Sequence, residues 1–140
     1  MDYNRELRTT NYELRKERLA MSGDPDLRNR TQQLSLRIIH LVESLPASDV
    51  GRVIGRQLLR CGTSVGANYR AAKRAKSRAD MLNKLKIVEE EADETLYWLE
   101  LLVKAEIIPV AKLEPLMKEV EEILAMTVSS IKTMRTSPSR

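Results

Sequence analysis

The stretch Asp49-Val-Gly-Arg-Val-Ile-Gly-Arg-Gln-Leu-Leu-Arg-Cys-Gly-Thr-Ser-Val-Gly-Ala-Asn68 decides the fold. Val50, Ile54, Leu58, Cys61, Val65 and Asn68 recur at steps of four or three, which places them on one side of an α-helix. Working outward, the same spacing appears in three other segments. Leu27, Leu34, Ile38, Leu41 and Leu45 precede it. Leu82, Leu85, Val88, Ala92, Leu96, Leu99 and Val103 follow, and then Leu113, Leu116, Val120, Ile123, Thr127, Ile131 and Met134. No useful length alternates with period two. Four amphipathic segments joined by short turns predict an all-α protein, an antiparallel up-down four-helix bundle with an N-terminal extension.

Punctuation residues set the limits. Pro25 opens the first segment, Pro46 ends it, and Pro109 and Pro115 bracket the start of the fourth. Asp26, Ser48 or Asp49, and Ser77 or Asp80 are the expected N-caps. Residues 1–24 carry only sparse apolar positions, among them Tyr3, Leu7 and Leu19, and end in the breaker Ser22-Gly23-Asp24-Pro25. They read as an extension that docking on a neighbour would order. The bundle is assigned to 25–136 and a short tail to 137–140.

Composition removes several functions. One Cys and one His among 140 residues preclude an internal disulfide, a zinc site and a carboxylate di-iron bundle with its paired Glu-x-x-His motifs. The residues after Met1 contain no apolar signal core, and no apolar run approaches the roughly 20 residues of a membrane span, so a soluble cytoplasmic protein is the expectation. Aromatics amount to 4% with no Phe, which argues against base-stacking platforms.

Charge is segregated along the chain. Residues 51–86 hold ten basic side chains against Asp80 alone, a net of +9, whereas residues 87–122 hold three lysines against eleven acids, a net of −8. Three readings fit: the basic block meets phosphate, it pairs with the acidic block within or between chains, or both are solvated helix faces. With Val50 at the origin of a helical wheel, Arg52, Arg56 and Arg60 fall at about 200°, 240° and 280°, and Arg70, Arg74 and Arg78 at the same three angles if the helix runs that far. That stripe lies nearly opposite the apolar face. Six such arginines neutralising phosphates would give a log–log salt slope of about −4 to −5. The candidate nucleic-acid-binding set is Arg52, Arg56, Arg60, Arg70, Lys73, Arg74, Lys76 and Arg78.

Four of the five glycines, Gly51, Gly55, Gly62 and Gly66, form a third face of the same segment. Each costs about 1 kcal/mol relative to alanine inside a helix. Close approach by another helix would offset that cost, inside the bundle or between subunits. In the third segment Ile87, Trp98 and Leu101 form a second apolar line beside the core face, the expected mark of a subunit interface or of a wide core face. The glycine face and this line together are the candidate oligomer interface. Glu89, Glu90, Glu91, Asp93 and Glu94 point in different directions around a helix and lack a metal-binding His, so they read as a solvated or salt-bridged cluster. Cys61 lies on the apolar line and reads as a small core residue, His40 as a surface or boundary residue. Asn68 lies on the apolar face, where a hydrogen bond across the bundle would fix register.

The run Gln57-Leu-Leu-Arg-Cys-Gly-Thr-Ser-Val-Gly-Ala-Asn68, with Arg74-Ala-Lys-Ser-Arg-Ala-Asp80, Glu90-Glu-Ala-Asp-Glu94 and Trp98-Leu-Glu100, resembles a bacterial four-helix-bundle family first noted in intervening sequences of 23S ribosomal RNA genes. The family includes the accessory variability determinant protein of diversity-generating retroelements. The resemblance covers about residues 27–135, and Arg60 to Asn68 is its most specific part. It implies a ring-like homopentamer with a basic surface. For the retroelement branch it implies binding to nucleic acid and to a reverse transcriptase. The chain departs from the commoner pattern at Ala71-Ala72, where many members carry Glu-Gly. That loss of an acid makes the region more basic and weakens any transfer of a detailed site from the retroelement branch.

Two functions follow as expectations. The first is a non-enzymatic, oligomeric accessory protein that binds RNA or DNA phosphates without base specificity. The second is an interaction adaptor whose basic face docks an acidic partner such as a reverse transcriptase. No nucleophile–base pair or metal set can be assembled, and no cofactor is expected.

Overall fold

A computed structural model describes residues 27–136, which form four helices: α1 Leu27–Glu43, α2 Asp49–Lys73, α3 Arg78–Lys104 and α4 Val110–Thr136. The described residues contain no strand. α2 packs against α1 and α3, and α4 packs against α3 and more lightly against α1. This is the antiparallel four-helix bundle that the apolar spacing predicts. The extension at 1–24, the Asp26 cap and the tail at 137–140 lie outside the described residues.

The expected caps resolve to the serines. Ser48 Oγ accepts from the backbone N–H of Gly51 at 3.0 Å, and Ser77 Oγ accepts from that of Asp80 at 3.0 Å. Each satisfies a donor that the first helical turn leaves without a partner. The α3–α4 turn is a Schellman closure. The Glu106 N–H donates to the Val103 carbonyl at 2.9 Å, and the Ile107 N–H to the Leu102 carbonyl at 3.0 Å. Glu106 takes φ 59°, a left-handed conformation that suits glycine better than a residue with a Cβ. Pro115 does not bracket the start of α4. It lies inside the helix, which begins at Val110.

The core follows the four predicted lines closely on α4, where Leu113, Leu116, Val120, Ile123, Thr127, Ile131 and Met134 are all buried. On α2 it differs at both ends. Val50 is 54% exposed, and Tyr69 is buried without having been on the predicted line. Asn68 makes no bond across the bundle. Its Nδ2 donates to the Ser64 carbonyl one turn back on the same helix at 2.9 Å.

Two arginine clamps tie the helices laterally. Arg30 on α1 forks onto α4, with Nε on Glu119 Oε2 at 2.9 Å and Nη2 on Glu119 Oε1 and Glu122 Oε1 at 2.8 Å each. Arg60 on α2 reaches Glu91 on α3 at 3.2 Å and also pairs with Glu94. The planar fork suits such two-point contacts.

Candidate nucleic-acid interface

The glycine face is spent inside the chain, which corrects its assignment to an oligomer interface. A Cβ on Gly51 would sit 2.1 Å from the Pro46 carbonyl oxygen, and one on Gly62 would sit 2.8 Å from the Ile38 side chain. A Cβ on Gly66 would sit 3.0 Å from the Thr31 carbonyl oxygen, and one on Gly55 3.2 Å from Val42. These residues let α1 settle directly on the backbone of α2, and the packing they permit offsets their helix cost.

With α1 on one flank of α2 and α3 on the other, the outward face between them carries Arg52, Arg56, Arg70 and Arg74, all exposed. Arg74 is the C-cap of α2. Among the described residues Arg52 pairs only with Asp49 of its own helix, at 2.6 Å, and both side chains are largely in water, where such a pair contributes little. Among the described residues no ion pair involves Arg56, Arg70 or Arg74.

Four members of the predicted set stand elsewhere. Arg60, at about 280° on the wheel, leans toward α3 and is held by carboxylates. Desolvation works against its charged form, but Glu94 and Glu91 outweigh it and hold the guanidinium pKa above its ordinary value. Lys73 is buried, its ammonium 5.1 Å from the centroid of the Tyr69 ring. At about 140° it shares the angle of Gly55 rather than that of the arginines. Lys76 is exposed in the α2–α3 connection. Arg78 is not on α2: the helix stops at Lys73, and Arg78 opens α3 and donates to the Met134 carbonyl on α4. The acidic block therefore meets the basic block mainly at Arg60, while Glu119 and Glu122 are taken by Arg30 from outside it.

Sequence reasoning missed the contribution of α1. Arg28, Gln32, Ser35 and Leu36 line a groove of about 360 Å³ together with Gly66, Ala67 and Arg70 of α2. The spacing of Arg28, Gln32 and Ser35 at four and then three residues marked a polar face turned toward α2. A second groove of about 270 Å³ lies farther along, floored by Gly51 and Gly55 and lined by Val42, Leu45, Leu59, Arg52 and Arg56. Among the described residues no carboxylate lines either groove.

On α3, Ile87, Trp98 and Leu101 are half-buried. Trp98 packs against the core, donates from Nε1 to Glu94 Oε2 at 3.1 Å, and meets the exposed Tyr97 ring edge-on at 5.0 Å. Stepping equally in opposite directions from the Arg60–Glu91 pair brings exposed Val53 level with Trp98. Cys61 is buried against Thr95, and burial pushes its thiol pKa up, so it is packing material rather than a nucleophile. Among the described residues no group of three His, Cys, Asp or Glu side chains could hold a metal, and no helix is long and apolar enough to cross a membrane.

The model of one protein family, described as 23S rRNA-intervening sequence protein, matches residues 24–129. The chain belongs to that family. The matched span takes in the whole α1–α2 seam, both its glycines and its arginines. A crystal structure of a protein of unknown function from the S23 ribosomal protein family of Bacteroides thetaiotaomicron is 40% identical to it. The two superpose with a TM-score of 0.72, over 76% of this chain and 98% of the other. Among curated proteins, none matches the chain.

Proposed function

We propose that this family member is a non-enzymatic accessory protein that binds the phosphate backbone of RNA or DNA through the outward face of α2. The observation that supports it is the set of exposed arginines at Arg52, Arg56, Arg70 and Arg74, of which, among the described residues, only Arg52 has a carboxylate partner. The guanidinium fork matches phosphate oxygens, and a face of one charge sign raises the local concentration of a polyanion. The working form is a homo-oligomer, joined through the apolar outer line of α3 formed by Ile87, Trp98 and Leu101, with the exposed Tyr97 ring against Trp98. The ring of five implied by the family resemblance is part of this proposal; a reverse transcriptase as partner belongs to the alternative, an adaptor whose basic face docks an acidic protein without touching nucleic acid.

Binding to a structured RNA at low and moderate salt tests the reading. Four phosphate contacts predict a log–log slope of about −3 to −4. Affinity that is absent, or indifferent to salt, defeats it. A partner protein captured from lysate and retained after nuclease treatment would favour the adaptor function instead. A single 16 kDa species in solution at low micromolar concentration would remove the oligomer.

A further inference from the structure

The two grooves along the α1–α2 seam form a line, and they differ in character. The groove over Gly66 is polar: Arg28 and Arg70 flank it from opposite helices, with Gln32 and Ser35 beside them. The groove over Gly55 is walled by Val42, Leu45 and Leu59, with Arg52 and Arg56 on its outer side. Both lie where α1 and α2 meet over these glycines, whose absent Cβ atoms let the two backbones approach.

We infer that this seam is a track for a single polynucleotide strand. The polar groove seats a phosphodiester between Arg28 and Arg70, and the apolar groove seats a sugar–base unit whose flanking phosphate meets Arg52 or Arg56. The inference rests on the backbone-binding reading above and adds to it a strand type, a length and a residue from α1. Gly55 and Gly66 are eleven residues apart on one helix, or about 16 Å. A stacked strand rises about 3.4 Å per nucleotide, so about five nucleotides bridge the two seats. A duplex keeps its bases paired and turned inward, which leaves nothing to enter the apolar groove. Neither groove is lined by an aromatic side chain, so the sugar–base unit rests against aliphatic walls rather than stacking on a ring.

The test is fluorescence anisotropy with a labelled oligouridine of about 20 nucleotides and an RNA duplex of equal length, at about 50 and 200 mM salt. The proteins are the full chain and its Arg28→Ala, Arg70→Ala, Arg28→Ala/Arg70→Ala and Arg56→Ala variants. Arg37→Ala, an exposed arginine outside the seam, serves as the control. Each seam substitution should weaken single-strand binding about tenfold, the loss of one charge-assisted contact. The Arg28/Arg70 double variant should lose clearly less than the product of the single losses, because both side chains hold one phosphate. Oligomers shorter than about five nucleotides should bind far more weakly than longer ones. Circular dichroism of each variant should match that of the unsubstituted chain, since all the substituted side chains are exposed. If the chain binds RNA but Arg28→Ala behaves like Arg37→Ala, or if duplex is preferred, the track is wrong and the backbone-binding reading stands. If neither probe binds at low salt, both fall.

Discussion

The two flanks of α2 use the same residue type to opposite ends. On the α2–α3 flank, Arg60 leans over the seam and is neutralised by Glu91 and Glu94, with Trp98 donating to the same Glu94. On the α1–α2 flank, glycines bring the backbones together, and the arginines at its margin stay in water. A turn of about 40° on the helix separates Arg56 from Arg60. That turn decides whether a guanidinium becomes a clamp or stays available, because it decides whether a carboxylate on the next helix lies within reach.

The largest effect should come from filling the glycine flank. Gly51→Ala would bring a methyl group 2.1 Å from the Pro46 carbonyl oxygen, backbone that cannot swing aside. The gain in helix propensity is far smaller than the displacement it forces, and a loss of about 3 kcal/mol is expected, read as a lowered urea midpoint. A midpoint at or above that of the unsubstituted chain would mean that the α1–α2 connection does not pack on Gly51 as described. Next in size is the paired charge reversal Arg56→Glu/Arg70→Glu. It should weaken RNA binding by about 100-fold and flatten the salt slope, while stability changes by no more than about 0.5 kcal/mol. Equal losses of binding and of folding would move these arginines from the solvent side to the protein side.

Two smaller changes sharpen the contrast. Glu106→Gly lies outside both flanks and relieves a left-handed residue, so thermal unfolding should show a gain of about 1 kcal/mol with RNA affinity unchanged. Destabilisation there would deny the Schellman closure. Arg60→Ala should matter least. Its ion pairs are solvent-exposed and contribute little to stability, and because its charge is already matched, RNA affinity should fall less than about twofold. A tenfold loss would restore Arg60 to the binding set and erase the difference between the flanks.

Much of this was legible in the chain. The α4 line from Leu113 to Met134 reads directly as one buried face, because a bundle helix with a single core stripe leaves period 3.6 undisturbed. The helix starts were legible to within a residue or a turn as Ser48 or Asp49 and Ser77 or Asp80, for an equally local reason, and the structure chose the serines. Less legible were residues whose role depends on a partner helix. Lys73 belongs by count to the basic block, yet its angle carries it to the buried side. Arg28 lies far from that block in sequence and joins it only across the seam. Arg78 looked like the end of a stripe until the break after Lys73 placed it at the head of α3.

Periodicity and charge order along the chain were enough to settle helix number, antiparallel order and the opposition of oily and cationic sides, since these are properties of a single helix repeated. Only assembly could say which cations stay in water. Whether an arginine meets a carboxylate, and whether a glycine faces its own chain or another, depends on distances between segments dozens of residues apart. Local pattern does not encode those distances. They are fixed when α1 settles against the backbone of α2.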